Sequence, residues 1–398
     1  MQKTTQIQGF HKFKLIFILA LMSSVAPLST DMYLPALENV QHSFQTSPYL
    51  TQLSLASFFI AFALGQLIYG PLSDVFGRKK PLYVGIGLFI LSSLGCFLID
   101  NIYAFIFLRF LEALGGCAGV VIARAVVNDL FELKEAAAVF ALMMVVSSLA
   151  PMLAPSFGSL LLQFFSWHSI FATLFALGVL LLALIVFWLK ESAPPQKDVK
   201  FSNKETLQSY AFVLKDKPFL AYVVAGALAM GGMFAYITSS SYIFSEMFDL
   251  SKQEYGILFG VNALGFVIFA NINAKIVLKS SPFIILPRAF VVMFIISVML
   301  FALHFSDSFL AFELPLFFVI AMLGFLMPNL TTIAMARFKE HSGTASAVLG
   351  SIQFGFAGLI SFLVGKFNAN DTFSLALIMM ICCFLAMMIY VVGSKFKE

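Results

Sequence analysis

The chain has 398 residues, of which 61% are hydrophobic and only 11% charged, with a formal net charge of +4. A soluble domain is about 45–50% apolar and roughly 25% charged, so a water-soluble globule is excluded. Disorder is excluded too, because it requires low hydrophobicity, and so small a net charge gives no reason to expect a nucleic-acid partner.

In chain order, continuous apolar runs occupy residues 14–34, 49–70, 82–99, 102–123, 137–162, 169–189, 218–243, 254–274, 284–304, 308–334, 344–365 and 372–393. Each bilayer crossing takes about 20 residues. The expected fold is therefore an all-α membrane protein with twelve transmembrane helices. A β-barrel is disfavoured, since its strands alternate in segments of about ten residues. The first run follows Lys3, Lys12 and Lys14 as a signal peptide would. It continues into a patterned segment, however, and more long runs follow, so it reads as the first membrane helix.

An even number of crossings puts both termini on one side. Of the 24 Lys and Arg, 21 fall on that side, two (Lys252 and Lys366) on the other, and Arg109 lies within a helix. The cation-rich side is the cytoplasm by the positive-inside rule. The longest polar stretch, residues 190–217, separates the sixth run from the seventh. The expected organisation is an N-terminal six-helix half (1–190), a cytoplasmic linker (191–217) and a C-terminal six-helix half (218–398). Transporters built from repeats have this form.

Cys96, Cys117, Cys382 and Cys383 all lie in apolar runs without metal-ligand spacing and read as small apolar fillers. The five His fall at or near loops. No metal or organic cofactor is expected.

Ionisable groups within membrane helices are costly and point to function. Asp31, Arg109 and Glu112 are the clear instances. A rise of about 1.5 Å per residue puts all three at the midplane or in the outer half. Arg109 and Glu112, three residues apart, share a helix face. Burial favours the neutral form of a carboxylate and a nearby cation its charged form. A carboxylate whose burial and partners alternate between two states can bind and release a proton in turn. Glu254, Asp307 and Glu313 lie near helix ends and read as interfacial.

Several motifs point to one family. Gly70-Pro71-Leu72-Ser73-Asp74-Val75-Phe76-Gly77-Arg78-Lys79-Lys80 follows the second run. It resembles the signature loop of the major facilitator superfamily, with Gly70 and Gly77 permitting a tight turn and close helix approach. Leu108-Arg109 through Gly116 is similar to that superfamily's fourth-helix motif. Ala150-Pro151-Met152-Leu153-Ala154-Pro155-Ser156-Phe157-Gly158 is similar to its fifth-helix antiporter motif. Pro27 through Leu37, Ala123 through Leu130 and Ser342 through Ala347 resemble the bicyclomycin-resistance (Bcr/CflA) drug:proton antiporters.

The resemblance implies the major facilitator fold, with Asp31 and Arg109 as proton- and substrate-coupling positions. It also implies a cytoplasmic latch in which Arg78 meets Asp129 and Asp74 meets the start of the eleventh helix. Glu112 stands where the superfamily usually has Gln, and is either a second titrating carboxylate or a neutraliser of Arg109. Ser159 follows Gly158 where Gly is common. The eighth–ninth loop echoes the Gly70 loop only faintly.

Helices one, four, seven and ten of this fold line a central cavity. Tyr33, Phe58, Phe62, Tyr236, Tyr242, Asn262 and Gln353 are expected in its wall. Such an aromatic cavity suits amphiphilic, drug-sized ligands. The expected function is proton-coupled efflux of drug-like compounds by alternating access. The expected setting is a monomer in the bacterial inner membrane, with the proton as coupling ion. The alternative within the superfamily is a proton-coupled transporter of a natural metabolite such as an amino acid, peptide or siderophore. A membrane-embedded enzyme or receptor is the remote alternative, because the chain has no HExxH, no nucleophile–base pair and no sensor domain.

Overall fold

The computed structural model describes residues 10–131, 139, 143, 150, 153–193, 203–306, 308–338 and 342–395. The described chain is helical. Its helices are α1 (Phe10–Asp31), α2 (Leu37–Ser43), α3 (Pro48–Phe76), α4 (Lys79–Leu98), α5 (Ile102–Leu130), α6 (Leu153–Phe164) and α7 (His168–Trp188). There follow α8 (Asn203–Leu214), α9 (Lys217–Tyr242), α10 (Lys252–Val277), α11 (Pro282–Leu303), α12 (Phe309–Met335), α13 (Ser342–Lys366) and α14 (Thr372–Ser394). Eleven of these spans are long and apolar enough to cross a membrane, among the described residues. The apolar run 137–162 lies largely outside them, and only its last part is seen, as the short apolar helix α6.

Helices are what an apolar chain must form in lipid, because no water is present to satisfy backbone groups. Their ends are marked in the sequence. Pro48, Pro218 and Pro282 start α3, α9 and α11, where a missing N–H costs nothing. Asn101, Asp216, Ser281 and Asp371 accept hydrogen bonds from the first turns of α5, α9, α11 and α14. Ser251 and Glu254 form a reciprocal capping box on α10, which agrees with an interfacial Glu254.

Two departures from the expected elements matter for the site. The first membrane run does not cross as one rod. α1 stops at Asp31, a 3-10 turn covers Leu34–Ala36, and α2 completes the span. Pro35 causes the break: it has no N–H to give, and it disfavours helical geometry in the residue before it. The expected linker also contains a helix, α8. Its Val213 is fully buried, and Tyr210 donates its hydroxyl to the Leu67 carbonyl of α3 at 2.8 Å. Leu207, Tyr210 and Leu214 recur at helical spacing, and lysines on both sides mask that pattern.

α1, α3, α4, α5 and α7 pack on one another, and so do α9 to α14. The main seam between these groups is α3 against α13. Small residues allow the close helix packing that lipid-embedded interfaces use. A Cβ on Gly115 of α5, for example, would stand 2.5 Å from the Phe89 nitrogen of α4. The four cysteines are buried and unlinked.

The end of the bundle that carries Lys252 and Lys366 is closed. Gln52 of α3 donates to the Thr238 carbonyl of α9 at 3.2 Å and to Asn370 at 2.5 Å. Lys252 of α10 donates to Asn39 of α2. Ser159 of α6 donates to the Lys252 carbonyl at 2.7 Å. At the opposite, cation-rich end a cavity of about 670 Å³ opens between α3, α5, α8 and α13.

Candidate functional site

Arg109 and Glu112 leave one face of α5 and are both fully buried. Arg109 Nη1 donates to Glu112 Oε2 at 2.6 Å. A buried ion pair needs added hydrogen bonds to offset the hydration it has lost. Two serines supply them. Ser29 Oγ and Ser93 Oγ each donate to Glu112 Oε1 at 3.0 Å. Arg109 donates to Ser29 Oγ at 2.9 Å and to the Ser29 carbonyl at 3.2 Å. The guanidinium carbon stands 4.5 Å from the Phe58 ring centre and 5.0 Å from that of Tyr33, a cation–π arrangement. Phe58 and Tyr33 are therefore walls of a closed charge pocket.

Asp31 does not join this cluster. It is the last residue of α1, two positions past Ser29, and is 6% exposed. No ion pair reaches it among the described residues. It sits at the C-terminal pole of α1, where the helix dipole disfavours an anion. Its electrostatic neighbours are Tyr236 of α9 and Tyr255 of α10, across the boundary between the two helix groups. Only the three-dimensional arrangement separates a neutralised pair, Arg109–Glu112, from a solitary carboxylate, Asp31.

Glu313 corrects the expectation that it is interfacial. It is 7% exposed, and neither of its carboxylate oxygens has a hydrogen-bond partner. Asn262 of α10 and Tyr236 of α9 lie near it, and the adjacent Phe312 and Leu316 are fully buried. Nearness to a helix end did not mean nearness to water, because neighbouring helices cover that end. Asp307 lies outside the described residues.

At the cation-rich end, α3 runs on through Gly70 to Phe76, so the turn itself is only Gly77 and Arg78. This corrects the expected role of Gly70. It lies inside a helix with nothing within 4 Å of an added Cβ, so no close approach or turn requires it. Gly77 is required, because its φ of +82° is strained for other residues. Arg78 Nε donates to Asp129 Oδ2 at 2.8 Å, and Nη1 donates to Asp74 Oδ1 at 2.5 Å. Partial burial alone would lower the Arg78 pKa, but these two carboxylates outweigh it and raise it above its ordinary value. The Arg78–Asp129 contact is the expected one. Asp74 also turns to Arg78, and faces the start of α13 only across the cavity. Glu191 accepts from the Arg78 and Lys79 backbone N–H groups at 2.8 and 3.1 Å.

Of the proline-containing motif, Pro151 lies outside the described residues. Ala150 is buried, and Pro155 and Gly158 are in α6. Any Cβ on Gly158 would collide with the Met32 carbonyl just past Asp31. Ser156 donates to the Gly256 carbonyl of α10 at 3.1 Å. This motif therefore stands between the α1 break and α10.

The cavity wall includes Gln66, Arg124, Asn128, Tyr210 and Thr344. Tyr33, Phe58, Phe62, Tyr236, Tyr242 and Asn262 are buried in packing instead, and Gln353 is half-buried on α13. With one end closed, the aromatic residues interlock: Phe62 meets Phe354 at 4.5 Å and Tyr236 stacks on Phe259 at 5.4 Å. Arg124 is a wall residue that loop-by-loop charge counting missed. It lies within α5, and no ion pair reaches it among the described residues.

The Major Facilitator Superfamily profile matches residues 19–361. An uncharacterized MFS-type transporter, YdgK of Bacillus subtilis, is 35% identical, with 90% of each chain covered. A bicyclomycin resistance protein homolog of Haemophilus influenzae is 27% identical, with 95% of each covered. The solved structure of the xylose transporter XylE from E. coli shares the fold, with a TM-score of 0.76 and 14% identity over 98% of both chains. The chain is a multi-pass membrane transporter, not an enzyme, and belongs to the major facilitator superfamily.

Proposed function

We propose that this protein is a proton-coupled exporter of amphiphilic, drug-like compounds, working by alternating access as a monomer in a bacterial cytoplasmic membrane. In this reading run 137–162 completes a set of twelve crossings. Residues 1–190 and 218–398 form two halves, and both termini lie with the cation-rich end in the cytoplasm. The cavity of about 670 Å³ then opens to the cytoplasm while the outer end is sealed. Its volume suits one drug-sized ligand.

The observation that carries the reading is Asp31: a buried carboxylate without an ion-pair partner, at a helix break, facing the second helix group. A proton there removes the cost of burying an unpaired charge. Release of that proton requires a wetter or more cationic setting, which a rearrangement of the two groups supplies. Arg109 and Glu112 hold Ser29, and so fix the last turn of α1 that presents Asp31. Glu112 acts here as the neutralising partner of Arg109. The similarity to a bicyclomycin resistance protein homolog supports drugs as substrates.

The test is flux in proteoliposomes under an imposed pH gradient, with a hydrophobic fluorescent cation as substrate. Asp31→Asn is expected to bind the substrate as wild type does and to lose gradient-driven flux. Wild-type flux in this variant would reject the reading.

A further inference from the structure

The second helix group holds a buried acidic pocket that the Asp31 site does not use. Glu313 of α12 is more than nine-tenths buried, and both its oxygens lack a partner. Asn262 of α10 lies beside it, also buried, and its side-chain oxygen lacks a partner too. One N–H of the Asn262 amide donates to the Tyr236 hydroxyl at 3.1 Å. The two Glu313 oxygens and the Asn262 oxygen are thus buried acceptors without a partner in place, and the nearest donors are the second N–H of the Asn262 amide and the Tyr236 hydroxyl. Such a set is costly: each unsatisfied buried polar atom loses about 1–3 kcal/mol of hydration, and an uncompensated carboxylate loses far more.

The surrounding elements offer no cation to relieve it. α9 contributes Tyr236 and α10 contributes Asn262. No Lys, Arg or His forms an ion pair with Glu313 among the described residues. Beyond Tyr236 lie Tyr255, whose hydroxyl is 2.9 Å from Ser240 Oγ, and Asp31. Asp31 and Glu313 thus lie in the neighbourhood of the same tyrosine, one in each helix group.

We propose that Glu313, with Asn262 and Tyr236, forms a second proton-binding site in the C-terminal helix group, occupied in this closed-end conformation. A proton on Glu313 turns one acceptor into a donor and leaves a neutral pair of side chains where a bare charge would otherwise stand. The existence of the site rests on the pocket alone. Its part in transport rests on the proton-coupled reading above.

The site is tested by infrared difference spectroscopy across a pH titration of the full-length, detergent-purified protein. Two protonated-carboxyl carbonyl components are expected in wild type. The Glu313 component persists in Asp31→Asn and is the one lost in Glu313→Gln, which keeps the Asp31 component. Glu313→Asp, which keeps a carboxyl, retains the component at a shifted frequency and so guards against mere misfolding. Identical protonated-carboxyl bands in wild type and Glu313→Gln would overturn the proposal. That is the result if the Asn262 amide turns its nitrogen toward an ionised Glu313 instead. Proteoliposome flux separates the two readings. Loss of the Glu313 component in Glu313→Gln, with no gradient-driven flux in wild type, upholds the site and rejects proton-driven export.

Discussion

The charges within the bundle are of two physical kinds. Arg109 and Glu112 cancel each other inside a shell of Ser29, Ser93, Phe58 and Tyr33. Asp31 and Glu313 have no cation at all among the described residues. The two kinds respond differently to substitution. Removing one member of a buried pair strands the other, at a cost of about 3–5 kcal/mol, whereas replacing both with apolar residues of similar volume is nearly neutral. Glu112→Leu alone is therefore expected to lower the melting temperature of the purified protein sharply. The double variant Arg109→Met/Glu112→Leu is expected to recover most of that loss. Equal destabilisation in the single and double variants would mean that Arg109 meets its real partner elsewhere. Neutralising Asp31 strands nothing, so Asp31→Asn is expected to fold and to fail in transport.

Elements supply the positions that these residues need. The Pro35 break gives Asp31 a helix end to occupy, and Gly158 lets α6 approach that break. On the cation-rich end, Asp216 caps α9 by accepting from the Phe219 N–H at 2.7 Å, and Arg337 just after α12 donates to both its oxygens at 2.8 Å. Partial burial pushes the Asp216 carboxyl up, but Arg337 and the Phe219 N–H outweigh it and hold it below the usual carboxylate range. The Asp216 carboxylate in turn raises the Arg337 guanidinium. A depressed folded-state value contributes stability above the unfolded value of about 3.9, and loses it as pH falls through the folded value. Both side chains are partly exposed, so the contribution is no more than about 1 kcal/mol. Asp216→Asn keeps the cap and removes the charge. It is expected to flatten slightly the loss of thermal stability on acidification below about pH 4. An unchanged acid limb would show that the pair adds no stability.

At the scale of the whole molecule, contacts between the two helix groups cluster at the Lys252 end, with the seam of α3 and α13 running beside them. Transport by alternating access requires that end to open. Cysteines introduced together at Asn39 and Lys252, whose native contact spans a lysine side chain, are expected to be bridged through disulfides by a short bis-methanethiosulfonate reagent, seen as loss of free thiol. The bridge is expected to stop flux reversibly, with recovery on reduction. Undiminished flux in the cross-linked protein would show that this end need not part. The sequence alone determined the solvent of the chain, most of its spans and the cation asymmetry, because burial in lipid is written in composition and run length. It also showed Arg109 and Glu112 to be neighbours, since helical spacing is local. Partners distant in sequence were decided only by tertiary packing: Ser29 and Ser93 on Glu112, the exclusion of Asp31 from that cluster, and the burial of Glu313 beside Asn262. The reason is physical. Whether a charge near a helix end is wet or dry depends on which other helices surround it, and no residue along its own helix records that.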